Sequence, residues 1–297
     1  MRASESGRVI VEVDGRRLSL SSLDKIMYPA TGTTKAEVLD YYARIGEVIL
    51  AHLWARPVTR VRYPHGVGDA SFFEKNAPPG IPDWIRRAGR DPVFPLIDDV
   101  AGLTYFANLN SIELHVPQWR VGGAGPDAQP CHPDRLVIDL DPGPGTGLRE
   151  CAIAALVVRE RLTGIGLDPL PVTSGSKGMQ LYAPLPGVHT SDQIRDTVMQ
   201  LAQELTAKHP ELIVWKMAKG LRPGKIFLDW SQNVAAKTTI CPYSLRGRAT
   251  PTVAAPRMWT EIEEGSSSNS LTQVRMEEVL DRVADLGDIA SQIARED

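Results

Sequence analysis

Apolar and polar positions along the chain alternate between two periods. Thr34-Lys35-Ala36-Glu37 has the form of a capping box, and Val38, Tyr41, Tyr42, Ile45, Ile49 and Leu53 behind it repeat at helical spacing. One helix is therefore expected over residues 34–53. Further helices are expected over Leu148–Thr163, closed by Gly164 and Gly166, and from a Ser191 cap to Lys208, stopped before Pro210. A last amphipathic helix is expected over residues 276–285. Strand-like runs occupy residues 58–63, 103–107, 135–141, 171–174, 179–183, 213–217 and 226–230. The run at 135–141 stops at Pro142-Gly143, as a strand ending in a turn does. Residues 265–269 (GSSSN) read as a flexible linker. Strands and helices mix without a clean β-α-β rhythm, which predicts an α+β fold with its site in a cleft between two sheets. No internal repeat is visible.

Composition narrows this picture. The 297 residues are 42% hydrophobic and 23% charged, ordinary for a globular chain of one large domain or two close lobes. No apolar run of about 18 residues offers a transmembrane helix, and the polar residues 1–9 have no signal-peptide core. Cys131, Cys151 and Cys241 lie far apart with no C-x-x-C pair, which argues against a disulfide framework and for a reducing cytoplasm. The formal net charge of −3 argues mildly against a nucleic-acid partner until it is located along the chain. Residues 216–248 hold seven Lys/Arg against one acid, and residues 54–90 hold seven against three. Residues 249–297 hold four Arg against ten acids, so the total is a cancellation between basic segments and an acidic tail.

Several motifs carry chemistry. Asp139-Leu140-Asp141 places two carboxylates on one face of a strand. Burying them is costly without a cation, and oxygen ligands suit Mg²⁺ or Mn²⁺. The competing reading is a pair of solvated acids. Asp229, alone in the apolar run Ile226-Phe227-Leu228-Asp229-Trp230, could complete a two-metal site or instead pair with a nearby Lys or Arg. Thr173-Ser174-Gly175-Ser176-Lys177-Gly178 could cradle a phosphate with its N–H groups, hydroxyls and lysine, or be a plain turn. Phe72-Phe73-Glu74-Lys75 sets adjacent aromatics, on which bases stack, among Arg56, Arg60 and Arg62; a core role for both rings is the alternative. His115, between Leu114 and Val116, faces either the cleft or the core. Lys219, Arg222, Lys225, Lys237, Arg246 and Arg248 bracket Asp229, as triphosphate or backbone contacts would. Together these features point to metal-assisted phosphoryl or nucleotidyl transfer.

The ordered motifs His115-Val-Pro-Gln-Trp, Asp139-Leu-Asp-Pro-Gly, Thr173-Ser-Gly-Ser-Lys-Gly, Phe227-Leu-Asp-Trp-Ser-Gln-Asn and Tyr243-Ser-Leu-Arg-Gly-Arg resemble the polymerase domain of the bacterial DNA ligase D family, within the archaeo-eukaryotic primase superfamily. The mycobacterial members look most similar, and the resemblance runs from about Leu18 to Glu261. It implies two facing mixed β-sheets with flanking helices, the catalytic half resembling an RNA-recognition fold. It implies a single primase-polymerase domain over 1–297, with an N-terminal lobe over about 18–130, a catalytic lobe over about 131–261 and an acidic helical tail over about 262–297.

The implied activity is template-dependent primer extension with a preference for ribonucleotides, using Mn²⁺ or Mg²⁺, in gap filling and end remodelling during non-homologous end joining. By the same resemblance Asp139, Asp141 and Asp229 are the catalytic metal acids. Ser174 and Lys177 contact the triphosphate, while His115, Arg222, Gln232 and Arg246 serve the nucleotide. Phe72 and Phe73 stack on template, Lys75 lies on the same DNA face, and Lys25 and Lys35 take the downstream 5′-phosphate. Implied partners are gapped or 5′-phosphorylated DNA, nucleoside triphosphates, Ku and a DNA ligase, with no membrane. A monomer in the bacterial cytoplasm, at the nucleoid, is expected.

The chain departs from the family pattern in three places. Gln180 stands where His is usual, Val61 where a basic residue is expected, and residues 84–94 form a shorter stretch in a segment used for bridging ends. No Lys-x-Asp-Gly ligase nucleophile occurs. Two other readings use the same features: a metal-dependent phosphoesterase or nuclease, and a catalytically weakened DNA-end-binding module.

Overall fold

The computed structural model describes residues 2–3 and 8–294. Part of the polar opening stretch and residues 295–297 of the acidic tail lie outside the described residues. The N-terminal half builds α1 (Lys35–Arg44), α2 (Gly46–Leu53), β1 (Thr59–Arg62), β2 (Phe72–Glu74), α3 (Val100–Asn108) and β3 (Ser111–Val116). The second half runs β4 (Arg135–Pro142), α4 (Leu148–Thr163), β5 (Leu170–Thr173), β6 (Met179–Pro184), α5 (Ser191–Lys208), β7 (Ile213–Val214) and β8 (Ile226–Asp229). It closes with β9 (Thr239–Ile240), β10 (Ala255–Pro256), α6 (Trp259–Ser267) and α7 (Met276–Leu286).

Two sheets dominate. One has four strands in the order β9-β3-β1-β2, and the other six in the order β7-β8-β4-β6-β5-β10. Within the larger sheet, β4-α4-β5-β6-α5-β8 is a β-α-β-β-α-β unit with its strands in the order β8-β4-β6-β5, all antiparallel. That is the RNA-recognition-like half. The regular rhythm, hidden by unequal strand lengths in the sequence, is present here.

The period of two along β4 decides what each face does. Leu136, Ile138 and Leu140 pack with Cys151, Ala155 and Val158 of α4 and Val198 and Leu201 of α5. Val137 points the other way, into a core shared with Val172 and Tyr182 and with Ile112, Leu114 and Val116 of the smaller sheet. Asp139 and Asp141 continue the Val137 series, so they face the cleft side, away from α4 and α5.

The structure differs from the sequence reading at five elements. Residues 103–107 lie in helix α3, not a strand: Asp99 accepts from Gly102 N at 2.7 Å as its cap, and Leu103, Phe106 and Ala107 fall on one buried helical face. The expected helix 34–53 breaks at Ile45 into α1 and α2, because Gly46 sits tightly against Val100 of α3. Thr190, not Ser191, caps α5. The strand expected over 213–217 keeps only Ile213–Val214. The GSSSN stretch is partly the end of α6, with Gly265 packed on Leu271, whose Cβ lies 2.7 Å from where a glycine Cβ would stand. Among the described residues no helix is long and apolar enough to cross a membrane.

The tail is bound to the body. Asp288 Oδ2 accepts from His52 Nε2 of α2 at 3.0 Å, and its Oδ1 accepts from Tyr243 Oη at 2.6 Å and Ala290 N at 2.8 Å. Burial alone would raise the Asp288 carboxyl, but the His52, Tyr243 and Ala290 hydrogen bonds hold it below the usual carboxylate range. Because the folded value is depressed, its stabilisation is present above the unfolded value and lost as pH falls through the folded one. Asp288→Ala leaves a buried imidazole and phenol unpaired and should cost about 2–3 kcal/mol. Thermal melts at pH 7 should show a fall of roughly 5 °C, with the difference between variant and parent shrinking below about pH 4.

Candidate active site

Strand register brings the three acids together. Asp139 is paired directly with Asp229 across β4 and β8, and with Gln180 across β4 and β6. Asp141 sits two residues on, on the same face. Like charges facing each other across a sheet are destabilising. Burial, then Asp141 and Asp229, push the Asp139 carboxyl well up, and burial and Asp229 raise Asp141. Gln180 opposes this by hydrogen bonding Asp139. Asp229 is buried and already held: Oδ1 accepts from Ser231 N at 2.9 Å and Ser231 Oγ at 2.5 Å, and Oδ2 accepts from Gln232 Nε2 at 2.9 Å. Among the described residues no group of three or more His, Cys, Asp or Glu side chains stands arranged as a metal cluster, although register sets these three carboxylates on neighbouring strands.

The glycine-rich loop lies beside these acids. Ser174 N donates to Gly178 O at 3.0 Å, Ser176 N to Ser174 Oγ at 3.3 Å, and Gly175 N to Gln273 Oε1 at 2.7 Å. These three N–H groups are therefore engaged within the protein. Two glycines are required sterically. Gly175 has φ +67° with its Cβ position 2.6 Å from Arg246 Cγ, and at Gly178 a Cβ would lie 2.1 Å from Leu140 O. The turn buries Ser174 and exposes Lys177, which has no hydrogen bond or ion pair among the described residues.

Arg246 ties the loop to the smaller sheet. Its Nη1 donates to Ser174 O at 2.9 Å, its Nε lies 3.3 Å from Glu113 Oε2, and its charge lowers Asp139 and Asp141. Glu113 Oε2 accepts from His115 Nε2 at 2.9 Å, and Glu113 Oε1 accepts from Tyr63 Oη at 3.1 Å and Gly247 N at 2.8 Å. Burial would raise this carboxyl, but His115 and Arg246 hold it at about 2. Glu113 thus fixes both His115 and Arg246. Glu113 is not among the residues singled out from sequence; its i, i+2 spacing from His115 on one strand is the signal that marks it. Gln273, which also donates Nε2 to Gly178 O at 3.0 Å, was missed as well, because nothing local marks a loop clamp about 95 residues away. Arg222 lies over the Phe227 ring at 3.6 Å, donates to Met217 O at 2.9 Å and lowers Asp141.

The residues expected to meet DNA form two groups. Phe72 and Phe73 are 49% and 58% exposed on β2, which rules out a core role for both. Arg62 lies over Phe72 at 5.2 Å, and the Phe73 ring meets His115 edge-on at 6.2 Å, which joins this platform to the catalytic side. Lys75 is exposed next to them. The other group is Lys25 and Lys35. Lys25 Nζ donates to Pro64 O, and the buried Lys35 Nζ donates to Ser21 O at 2.8 Å. Burial and the Lys25 charge lower Lys35 to about 8.

Residues 34–290 match the family model described as LigD, primase-polymerase domain. The chain is 45% identical over 286 residues to the multifunctional non-homologous end joining DNA repair protein LigD of Mycobacterium tuberculosis, covering 94% of this chain and 37% of that protein. It is 33% identical over 273 residues to the bifunctional LigD of Bacillus subtilis, covering 91% of this chain and 43% of that protein. The chain therefore spans less than half the length of these relatives. Among solved structures it superposes on the polymerase domain from Mycobacterium tuberculosis ligase D in complex with DNA, with TM-score 0.88, 45% identity, and coverage of 93% of this chain and 98% of that one. The family model covers most of the chain and the fold agrees with the solved domain: the chain belongs to the LigD primase-polymerase domain family.

Proposed function

We propose that this chain is a template-dependent nucleotidyltransferase that extends DNA primers, prefers ribonucleotides, and fills gaps and remodels ends in double-strand-break repair by non-homologous end joining. The observation that carries the reading is the cleft-facing trio Asp139, Asp141 and Asp229, with Arg246 and the exposed Lys177 beside it. The donor set suits a divalent cation: the ligands are all carboxylate oxygens, and two of them are raised by burial and then by neighbouring carboxylates, whose charge a cation would offset. Asp139, Asp141 and Asp229 would hold Mn²⁺ or Mg²⁺ in a two-metal site. When bound, the metal would supply positive charge at the triphosphate and at the primer 3′-oxygen.

The residues around it have separable duties. Asp229, pinned by Ser231 and Gln232, orients the primer hydroxyl. Lys177 and Ser174 meet the triphosphate, and His115 and Arg246, set by Glu113, hold the nucleotide from the other sheet, with Arg222 and Gln232 on the flank. Phe72 and Phe73 offer stacking faces to template bases, and Lys75 adds charge there. Lys25 and Lys35 take the 5′-phosphate of gapped DNA. The working unit is the whole chain, with an N-terminal lobe over about 18–130, a catalytic lobe over about 131–261 and a tail bracing both. Ku and a DNA ligase are the partners, and the bacterial nucleoid the place, that this duty entails; the chain would act as a monomer.

Primer extension on gapped, 5′-phosphorylated DNA with ribonucleotides and Mn²⁺ tests the reading. The Asp139→Ala/Asp141→Ala variant should lose activity by about a thousandfold or more. Full activity in that variant, or strand shortening without nucleotides, would sink the polymerase assignment. The lowered Lys35 gives a second test, since its charge is present below about pH 8 and lost above it. Fluorescence anisotropy at constant ionic strength should show weaker binding to 5′-phosphorylated ends between pH 7 and 9. Lys25→Ala/Lys35→Ala should abolish the preference for the phosphate, and Lys35→Arg should flatten the pH dependence.

A further inference from the structure

A buried polar network lies between Arg135 and Asp139 on β4. Arg135 opens β4 four residues before Asp139 and is fully buried, with its guanidinium 5.0 Å from the Tyr182 ring centroid. Its Nε donates to Gln118 Oε1 at 2.9 Å. Gln118 Nε2 donates to Thr239 Oγ1 at 2.7 Å. Thr239 Oγ1 lies 3.3 Å from Tyr182 Oη, and Tyr182 Oη lies 2.9 Å from Gln180 Oε1. Gln180 is in turn the direct cross-strand partner of Asp139 across β4 and β6, and its side chain lowers that carboxyl.

The Arg135 end of this network fixes the first links. A guanidinium can only donate. Gln118 must turn its oxygen to Arg135 and its NH₂ to Thr239. Thr239 Oγ1 accepts from Gln118 Nε2 and, at 3.3 Å, from Tyr182 Oη. The shortest contact of the Tyr182 hydroxyl is its donation to Gln180 Oε1 at 2.9 Å; Ile240 O, 3.1 Å away, and Thr239 Oγ1 are the other acceptors it can reach. With its oxygen engaged, Gln180 has only NH₂ to offer Asp139. Burial raises the Tyr182 phenol to about 12, so it stays a donor. The network also crosses the molecule: Thr239 is on the smaller sheet, Gln118 follows β3, and Tyr182, Gln180 and Asp139 are on the larger sheet.

We propose that Tyr182 is a positioning residue for Asp139, acting through Gln180, with Thr239 and Gln118 packed behind its hydroxyl. This rests on the reading of Asp139 as a metal-holding carboxylate. Hydrogen bonds that orient a ligating carboxylate tune its metal affinity, and their loss typically costs about 10–100-fold. Without the Tyr182 hydroxyl, nothing at that end stops the Gln180 amide from rotating and turning Oε1 toward the carboxylate.

The test uses the whole chain with Tyr182→Phe, Gln180→Leu and the double variant. The Gln180 amide protons, assigned by their loss in Gln180→Leu, are followed by NMR without metal or nucleotide. They should be a resolved, protected pair in the parent and exchange at least about tenfold faster in Tyr182→Phe. Mn²⁺ titrations followed by electron paramagnetic resonance should show affinity weakened about tenfold in Tyr182→Phe. Extension kcat should fall by a similar factor, with nucleotide KM changed less than about twofold. In the Gln180→Leu background, Tyr182→Phe should add nothing. Unchanged amide signals and Mn²⁺ affinity in Tyr182→Phe, or additive effects of the two substitutions, overturn the proposal. A lower melting temperature with unchanged Mn²⁺ affinity and kcat makes Tyr182 merely structural and overturns it too. If the parent neither binds Mn²⁺ nor extends primers while the amide responds as expected, the proposed function fails and the positioning by Tyr182 stands.

Discussion

Asp139 and Asp229 face each other across antiparallel strands, a pairing that sheets ordinarily avoid. Repulsion between them, and from Asp141 on the same face, is the constraint around which the rest of the site is built. Asp229 is quieted by hydroxyl and amide donors from its own 3₁₀ turn. Asp139 is served from the other flank by Gln180, and Arg246 adds charge from the opposite sheet. The apolar residues that alternate with the acids carry the cost of holding this geometry, by locking the strand between α4, α5 and the cleft-side core. The strand register therefore sets the chemistry, and the helices set the register.

The two sheets meet through charged groups that are buried together with their partners. Glu113 accepts from His115, Tyr63 and Gly247 and lies beside Arg246, joining the smaller sheet to the loop over the acids. At the opposite end Arg56, fully buried, makes a two-pronged contact with Asp134 at 2.7 Å, and Arg120 joins the same carboxylate at 2.5 Å. Burial, then the neighbouring Arg135 charge, lower Arg56 to about 9. Such pairs cost desolvation and gain little net stability, but breaking one member leaves an uncompensated charge. They fix how one sheet sits on the other, and so where His115 stands relative to Ser174.

Much of this was legible because it is local. The Asp139-Leu140-Asp141 alternation, the apolar frame of Asp229 and the caps of α1 and α4 are written within a few residues. The helix over 103–107 was misread because Leu103, Phe106 and Ala107 suit either period when taken as a short run; the Asp99 cap was the deciding signal. The linker over 265–269 was misread because its serines are exposed while Gly265 is packed, and composition reports only the former. Gln180 was noticed only as a departure from a pattern. Its partners Tyr182, Thr239 and Gln118 are brought together by sheet pairing, which no spacing in the sequence encodes. The near-neutral net charge was likewise a poor guide, since the basic segments and the acidic tail serve different surfaces.

Gln273 has a consequence for how this polypeptide may be divided. Its amide clamps both ends of the turn that carries Lys177, donating to Gly178 O and accepting from Gly175 N. The motifs that identify the family end near Arg248, yet the loop's shape is set from beyond them. A fragment cut at Glu261 would keep Asp139, Asp141, Asp229, Lys177 and Arg246 and lose the side chain that holds the lysine turn closed. The true edge of the catalytic module is therefore drawn by hydrogen bonding, some way past the last recognisable word of its sequence.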